Sequence, residues 1–460
     1  MDQDALEATA VREDEDPLLE RWSRMAVESG SIDPSLYAAY DVKRGLRDVS
    51  GRGVLAGLTR IGDVVGYAPE GDSFVPCPGK LYYRGIEIGD LISGLEAEGR
   101  HGFEETAYLL LFGELPDSAE LDSFTARLGS ERVLSRHFVN DVILPMPSRD
   151  IMNAMARGVL ALYTLDAEPD DTSVRTVLRQ SIQLISTFPM LAVYAYQASA
   201  HRFKNGSLVI HRPVAQLSAA ENLLCMMRPD SRYSASEAAV LDMLLVIHAE
   251  HGGGTNSSFA ARVVSSSGTD TYSTIAAALG SLKGPRHGGA NIKVVQMLDE
   301  LKSVVRDWSD EEEIGAYLTR VLNKEAFDRS GLVYGMGHPV YSVSDPRTII
   351  LRECAERLSA EKGWEEEFRL YATVETLAPR VIAERRKVYK GVSANVDFYS
   401  GLIYRMLDIP EELFTPLFAV SRIVGWCAHH IEEITGGGRV IRPAYKSLST
   451  PRSYVPLGER

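Results

Sequence analysis

Apolar residues recur along this chain with a helical period far more often than in alternation. In "DPRTIILRECAERL", Asp345 is placed to cap a helix and Pro346 to open it, while Ile350, Cys354 and Leu358 fall at i, i+4 and i+8. "TPLFAVSRIVGWCAHHIEE" repeats the pattern, with Thr415 as the expected cap, Pro416 next, and Leu417, Val420, Val424, Cys427 and Ile431 on one stripe. "EETAYLLLFGELP" and "SASEAAVLDMLLVIHAEH" also read as helices, whereas polar stretches near 228–236 and 360–367 read as loops. Period-two alternation is rare, and "LYYRGIEIGDL", residues 81–91, is the best short strand candidate. No repeat of solenoid length occurs. The pattern predicts a mostly α protein.

Composition narrows the function. A chain of 460 residues with 45% hydrophobic and 24% charged residues is long enough for more than one compact domain. No apolar run reaches the roughly 18 residues that a membrane span needs. The acidic opening, "MDQDALEATAVREDEDPLLERW", has neither the apolar core of a secretory signal nor the basic bias of a transit peptide, and its first 15 or so residues read as a loose tail. The net charge of −14 argues against nucleic acid and membrane surfaces as partners. An anionic small molecule is still allowed, because a cleft can be positive in an acidic protein. Cys77, Cys225, Cys354 and Cys427 are scattered without a CxxC or CxxH pair, which fits buried thiols in a reducing cytoplasm.

Four positions carry possible chemistry. Arg422 is the only ionisable side chain from Leu413 to Ala428 apart from Cys427, and lies opposite the Leu417/Val424/Ile431 stripe. Its own face carries Phe418, Ile423 and Trp426, so the helix is apolar nearly all round and the guanidinium is expected inside the protein. Such a group needs an anion, either a distant internal acid or the carboxylate of a ligand. Asp397, in "GVSANVDFYSGLIY", reverses the sign. Desolvation would make it a stronger base, or it could cap a turn marked by Ser393 and Asn395. His338 stands beside Gly335, Gly337 and Pro339, and His287 sits in "LKGPRHGGAN" where a loop becomes a helix. A helix N-terminus disfavours imidazolium, so His287 is expected to be neutral. His248, His251, His429 and His430 could be read as parts of a metal site, but neither cluster is HExxH. No GxSxG elbow supports a serine hydrolase.

Taken in order, "HAEHGGGTNSS", "GSLKGPRHGGAN", "GMGHPVYSVSDPR", "NVDFYSG" and "FAVSRIVGW" resemble the citrate synthase family. The resemblance extends from "KRGLRDV" near residue 43, through "LYYRGIEIGDL", to "RPAYKS" at 442–447. It implies a mostly helical two-domain homodimer, with a large domain (41–287 and 409–460), a small domain (288–408) and an acidic N-terminal extension (1–40). By the same resemblance His287, His338 and Asp397 form the catalytic set. His251, Arg347, Arg422 and Arg442 would hold oxaloacetate and citrate carboxylates, Arg442 reaching the neighbouring subunit's site. The backbone of Leu332, Val333, Tyr334, Gly335, Met336 and Gly337 would receive the adenine of coenzyme A.

The implied reaction condenses acetyl-CoA with oxaloacetate and hydrolyses citryl-CoA, using the thioester as co-substrate with no metal or redox cofactor. Pro339 and Ser342 occupy places where many relatives carry basic residues, so the coenzyme A phosphates would be met elsewhere. Two related readings are 2-methylcitrate synthesis from propionyl-CoA and a non-catalytic relative that only binds dicarboxylate or coenzyme A.

Overall fold

The computed structural model describes residues 17–48, 52–71, 73–385, 391–437 and 439–460. The expected acidic tail lies almost wholly outside these residues. Two compact units are present, Met1–Leu55 and Ala56–Arg460. In the first, helix α1 (Pro17–Gly30) buries none of its residues.

The second unit is built mainly of helices: α2 (Phe103–Phe112), α3 (Val174–Lys204), α4 (Ala235–His248), α5 (Asn256–Ser265), α6 (Thr271–Leu282), α7 (Ala290–Val304), α8 (Pro346–Lys362), α9 (Asp397–Met406) and α10 (Phe414–Thr435). The α10 helix packs against α3, α4, α5 and α6, and every residue from Phe414 to His430 is buried. No helix among the described residues is long and apolar enough to cross a membrane.

Local chemistry explains the helix boundaries. Asp345 caps α8 by accepting the Arg347 N–H, with Pro346 in its first turn. Ser234 and Glu237 close α4 with a capping box. The expected cap of α10 is displaced, because a short 3₁₀ turn (Glu411–Leu413) runs directly into Phe414. Thr415 instead donates its hydroxyl to the Gly288 carbonyl at 3.1 Å, tying α10 to the loop that carries His287. The expected loop at 360–367 reduces to a brief break: α8 runs to Lys362, Gly363 stops it at φ 74°, and a new helix begins at Glu365. The 228–236 stretch is irregular up to Ser234, as expected.

A three-stranded antiparallel sheet joins β1 (Gly62–Glu70), β2 (Ser73–Tyr83) and β3 (Ile86–Glu87). The alternation at 81–91 is therefore only half strand. Arg84 and Gly85, both at positive φ, turn the chain, and a helix begins at Ile88. The longer strands were hidden by Pro76, Pro78 and Gly79 in β2, residues that argue against a strand, and by the irregular burial of β1. This sheet backs the segment after His338: Gly79 N–H donates to Ser344 O at 3.1 Å, and the Tyr341 hydroxyl donates to Lys80 O at 3.2 Å.

Candidate active site

Arg422, midway along α10, is among the largest fully buried side chains. Its Nε donates to the His248 carbonyl at 2.6 Å, and its guanidinium carbon lies 4.8 Å from the centre of the Phe418 ring. Neither Nη has a hydrogen-bond partner among the described residues. Among the described residues, the internal ion pair allowed by the sequence does not form. Burial lowers the Arg422 pKa to about 10 while nearby Glu250 opposes the fall. This leaves a dry, charged, two-pronged donor, a form suited to a carboxylate.

His287 lies in the turn between α6 and α7. The Ser257 hydroxyl is 2.9 Å from its Nε2 and the Ser257 backbone N–H also approaches this nitrogen, at 3.4 Å. A backbone N–H can only donate, so Nε2 is the acceptor and the proton sits on Nδ1. Burial pulls the pKa down to about 4, and the Arg422 charge adds to the effect. The ring is neutral, as expected, with desolvation as the larger cause.

His338 is fixed in a complementary way. Its Nδ1 accepts the backbone N–H groups of Val340 and Tyr341, each at 3.0 Å, which puts its proton on Nε2. The ring stacks on Tyr341 with 4.7 Å between centres and meets the His251 ring edge-on at 5.1 Å. His251 is buried, its Nε2 has no partner among the described residues, and its pKa is held well below the usual value by burial and then by Arg347, His338, Arg422 and His287. Arg347 is clamped by Asp345 through Nε at 3.0 Å and Nη2 at 2.7 Å. Burial opposes its charge, but the Asp345 carboxylate outweighs this and raises its pKa.

The glycine-rich loop 332–337 carries Asp397 toward the same place. Gly337 N–H donates to Ser393 O at 2.7 Å, Asn395 N–H to Gly335 O at 2.9 Å, and the Asn395 amide to Gly337 O at 2.8 Å. Gly335 takes φ 77°, and a Cβ there would lie 2.8 Å from both Phe398 and Val294. Only glycine satisfies both conditions without strain. Asp397 is the first residue of α9 but does not cap it, since its own N–H is received by Asn395 Oδ1 at 3.0 Å. Its carboxylate Oδ1 is shielded and has no partner among the described residues. Burial raises the Asp397 pKa to about 7, although Arg347 and Arg422 work against the rise. Among the described residues its carboxylate accepts no turn-capping hydrogen bond, which leaves a buried carboxyl with a pKa near neutrality.

His251, His287, His338, Arg347, Arg422 and Asp397 are therefore linked by direct packing or mutual fields. Arg442 is exposed and is not joined to them within one chain. In the loop, Val333 is buried and Leu332 is about half exposed. The metal alternative loses its ligands to other duties. His248 Nδ1 faces Leu244 O at 2.8 Å, His429 lies between Glu250 and Arg262, and His430 faces Ser265 and Thr271. Among the described residues no group of three His, Cys, Asp or Glu is arranged to hold a metal ion. Of the four thiols, Cys354 and Cys427 are buried, while Cys77 and Cys225 are only partly so. Sequence reasoning missed Ser257 and Tyr341. Ser257 is the penultimate residue of a quoted motif and Tyr341 sits three residues after His338, but nothing in their type signals a contact with a histidine.

A family model described as citrate synthase, C-terminal domain, matches residues 46–444. The chain belongs to the citrate synthase family. Citrate synthases of Synechocystis sp. and Deinococcus radiodurans are 35% and 36% identical to it over 388 and 361 residues, covering 83% and 78% of this chain and 88% of each relative. A 2-methylcitrate synthase of Shewanella oneidensis is 31% identical, covering 83% of this chain and 92% of its own. The fold resembles citrate synthase of Thermoplasma acidophilum, solved as a ternary complex with carboxymethyl coenzyme A and oxaloacetate. The TM-score is 0.74 at 25% identity, with 91% of this chain and 99% of the other covered. As a citrate synthase family member, the chain is a condensing enzyme.

Proposed function

We propose that this enzyme condenses acetyl-CoA with oxaloacetate and hydrolyses the resulting citryl-CoA. The observation that carries this reading is the buried Asp397 carboxyl, its Oδ1 without a partner among the described residues and its pKa raised to about 7, beside buried cations and two histidines whose tautomers are fixed by the backbone. Oxaloacetate carboxylates are held by Arg422, Arg347 and His251. His287 donates from Nδ1 to the thioester oxygen while Asp397 removes a methyl proton. That donation matters because a thioester α-proton is too weakly acidic for an unaided carboxylate. The enol carbon then bonds to the ketone carbon of oxaloacetate, and His338 polarises and protonates the ketone oxygen through Nε2. Water cleaves the thioester to release citrate and coenzyme A. In the condensation step each proton transfer is served by one of these side chains, and the scheme calls for no metal or redox cofactor.

Residues 332–337 receive the adenine of coenzyme A, a reading supported by the positive-φ glycines that let a ligand approach the backbone. Arg442 completes the carboxylate site of a second copy in a homodimer, consistent with its exposed side chain. Residues 288–408 act as a small domain against 41–287 with 409–460. Candidate groups fall on both sides of that division, so closure would bring them together around the thioester and exclude water. The four unpaired thiols fit a cytoplasmic setting.

Thiol release from acetyl-CoA and from propionyl-CoA, each with oxaloacetate, tests the reading. Faster turnover of acetyl-CoA supports it. Preference for propionyl-CoA would favour 2-methylcitrate synthesis, the activity named for the Shewanella relative. One methylene is worth only about 1–3 kcal/mol of discrimination, so both rates need measuring. Tight oxaloacetate binding without thiol release would leave a non-catalytic binder.

A further inference from the structure

Arg422 raises a physical problem that its proposed ligand solves only when present. A buried guanidinium with two unpartnered Nη groups is costly, yet any acid that paired with those groups would block a ligand. Glu250 resolves the conflict. It is fully buried and belongs to the same turn as His248, whose carbonyl takes the Arg422 Nε. Among the described residues its Oε2 has no hydrogen-bond partner, and it forms no ion pair with Arg422. It lies against α10 one turn beyond Arg422, where a Cβ on Gly425 would overlap Glu250 Oε2. Gly62 packs its other side, with space for a Cβ only 3.0 Å from Glu250 Cγ.

The anion is itself held from behind. Arg262 donates from Nη2 to His429 Nδ1 at 2.8 Å, which forces the imidazole proton onto Nε2. That Nε2–H donates to Glu250 Oε1 at 2.8 Å. Arg262 is in turn bonded to Glu432 and, at 3.0 Å, to Glu433. Burial pushes the Glu250 pKa up, but His429 and then Arg422 outweigh it, and the net direction is down. Among the groups that favour the Arg422 charge, Glu250 is the largest, ahead of Tyr83 and Asp397, while Arg347 opposes it. His251 and His287 face the same guanidinium.

We propose that Glu250 is a positioning residue for anion binding: its carboxylate sustains the charge of Arg422 through space while leaving both Nη groups open to a ligand carboxylate. The inference rests on the reading of Arg422 as a carboxylate receptor. Glu250→Gln keeps the shape and can still accept from His429, but removes the charge. Citrate binding to the full-length protein, measured by calorimetry from pH 7 to 9.5, separates charge from shape. The ratio of variant to wild-type Kd is expected to lie above one and to widen about threefold or more between pH 7 and pH 9.5, because Arg422 then loses its proton sooner. Comparing variant with wild type at each pH removes the contribution of Asp397, which titrates in both. Glu250→Asp is expected to stay within about threefold of wild type. A ratio near one, or one that does not change with pH, overturns the proposal.

Two further measurements keep it falsifiable. If Glu250→Gln does not fold, adding Arg422→Met is expected to restore folding, since the uncompensated charge goes with it; no rescue overturns the proposal. If the wild type does not bind citrate, the carboxylate-receptor reading fails by itself. The role of Glu250 is then decided by following the guanidinium carbon of Arg422 by NMR in arginine-labelled protein. A lower protonation midpoint in Glu250→Gln supports it, and an unchanged midpoint overturns it.

Discussion

Arg422 is anchored to His248 by one hydrogen bond, from its Nε to the carbonyl at 2.6 Å, and presents its remaining N–H groups unengaged. Replacing it with methionine removes a buried, incompletely paired charge. The ligand-free Tm of Arg422→Met is expected to change little, because the desolvation cost of the guanidinium and its support of the buried Glu250 carboxylate leave together. Oxaloacetate affinity should fall roughly 10- to 100-fold, the worth of about 1.5–3 kcal/mol in charge-assisted hydrogen bonds. Thermal melts with and without oxaloacetate check both statements. A clear loss of ligand-free stability with the ligand shift retained would contradict them.

Asp397 must be ionised to accept a proton, and burial holds its pKa at about 7 rather than the usual carboxyl value. The acidic limb of kcat/KM is therefore expected to rise with pH through about 7. The sign for stability is opposite. A carboxyl whose folded pKa is raised favours folding when protonated, and that advantage is lost as pH climbs through the folded pKa. Asp397→Asn should lose at least about 100-fold in kcat while its Tm advantage over wild type grows from pH 5 to pH 8. A constant difference in Tm would mean that Asp397 is not desolvated in solution.

His287 and Ser257 can be separated by size of effect. His287→Ala removes the donor to the thioester and is expected to lower kcat by about 100-fold or more. Ser257→Ala removes one hydroxyl contact with Nε2 but leaves the backbone N–H in place. Loss of one such bond costs about 1 kcal/mol, roughly fivefold in rate. Steady-state kinetics with both substrates gives both ratios, and equal losses would mean that the hydroxyl alone sets the tautomer.

Gly335 and Gly337 form a matched pair for testing the loop. Both have positive φ, but a Cβ at Gly335 meets Phe398 and Val294, whereas at Gly337 it meets open space. Gly337→Ala should cost only about 1 kcal/mol of backbone strain. Gly335→Ala adds overpacking of about 1–3 kcal/mol. It should also depress kcat, because Asn395 binds Gly335 O just ahead of Asp397. Denaturant melts and kcat for the two variants provide the comparison.

Much of the fold was legible because helices are specified locally. The cap at Asp345 and the apolar girth of α10 depend on residues within a few positions of one another. The start of α10 was misread because Thr415 spends its hydroxyl on a carbonyl 127 residues away, a choice no local rule contains. The sheet was missed for a similar reason, since prolines and a glycine in β2 mask a pairing set by its partner strand. At the site, residue types alone isolated Arg422 and Asp397 as charges without neighbours. The linkage of His251, His287 and His338 required the fold or the family resemblance. Glu250 drew no attention because its role depends on Gly425 and His429, distant in sequence and unremarkable by type.

The paired guanidiniums also couple the two halves of the reaction. Arg347 and Arg422 each depress the proton affinity of Asp397. In the proposed scheme a dianion bound by both would screen that influence, and the carboxylate would become more basic as the anion docks. The acceptor substrate then primes the proton abstraction from which its own attacking carbon arises, and a thioester that enters an otherwise empty cleft meets a weaker base.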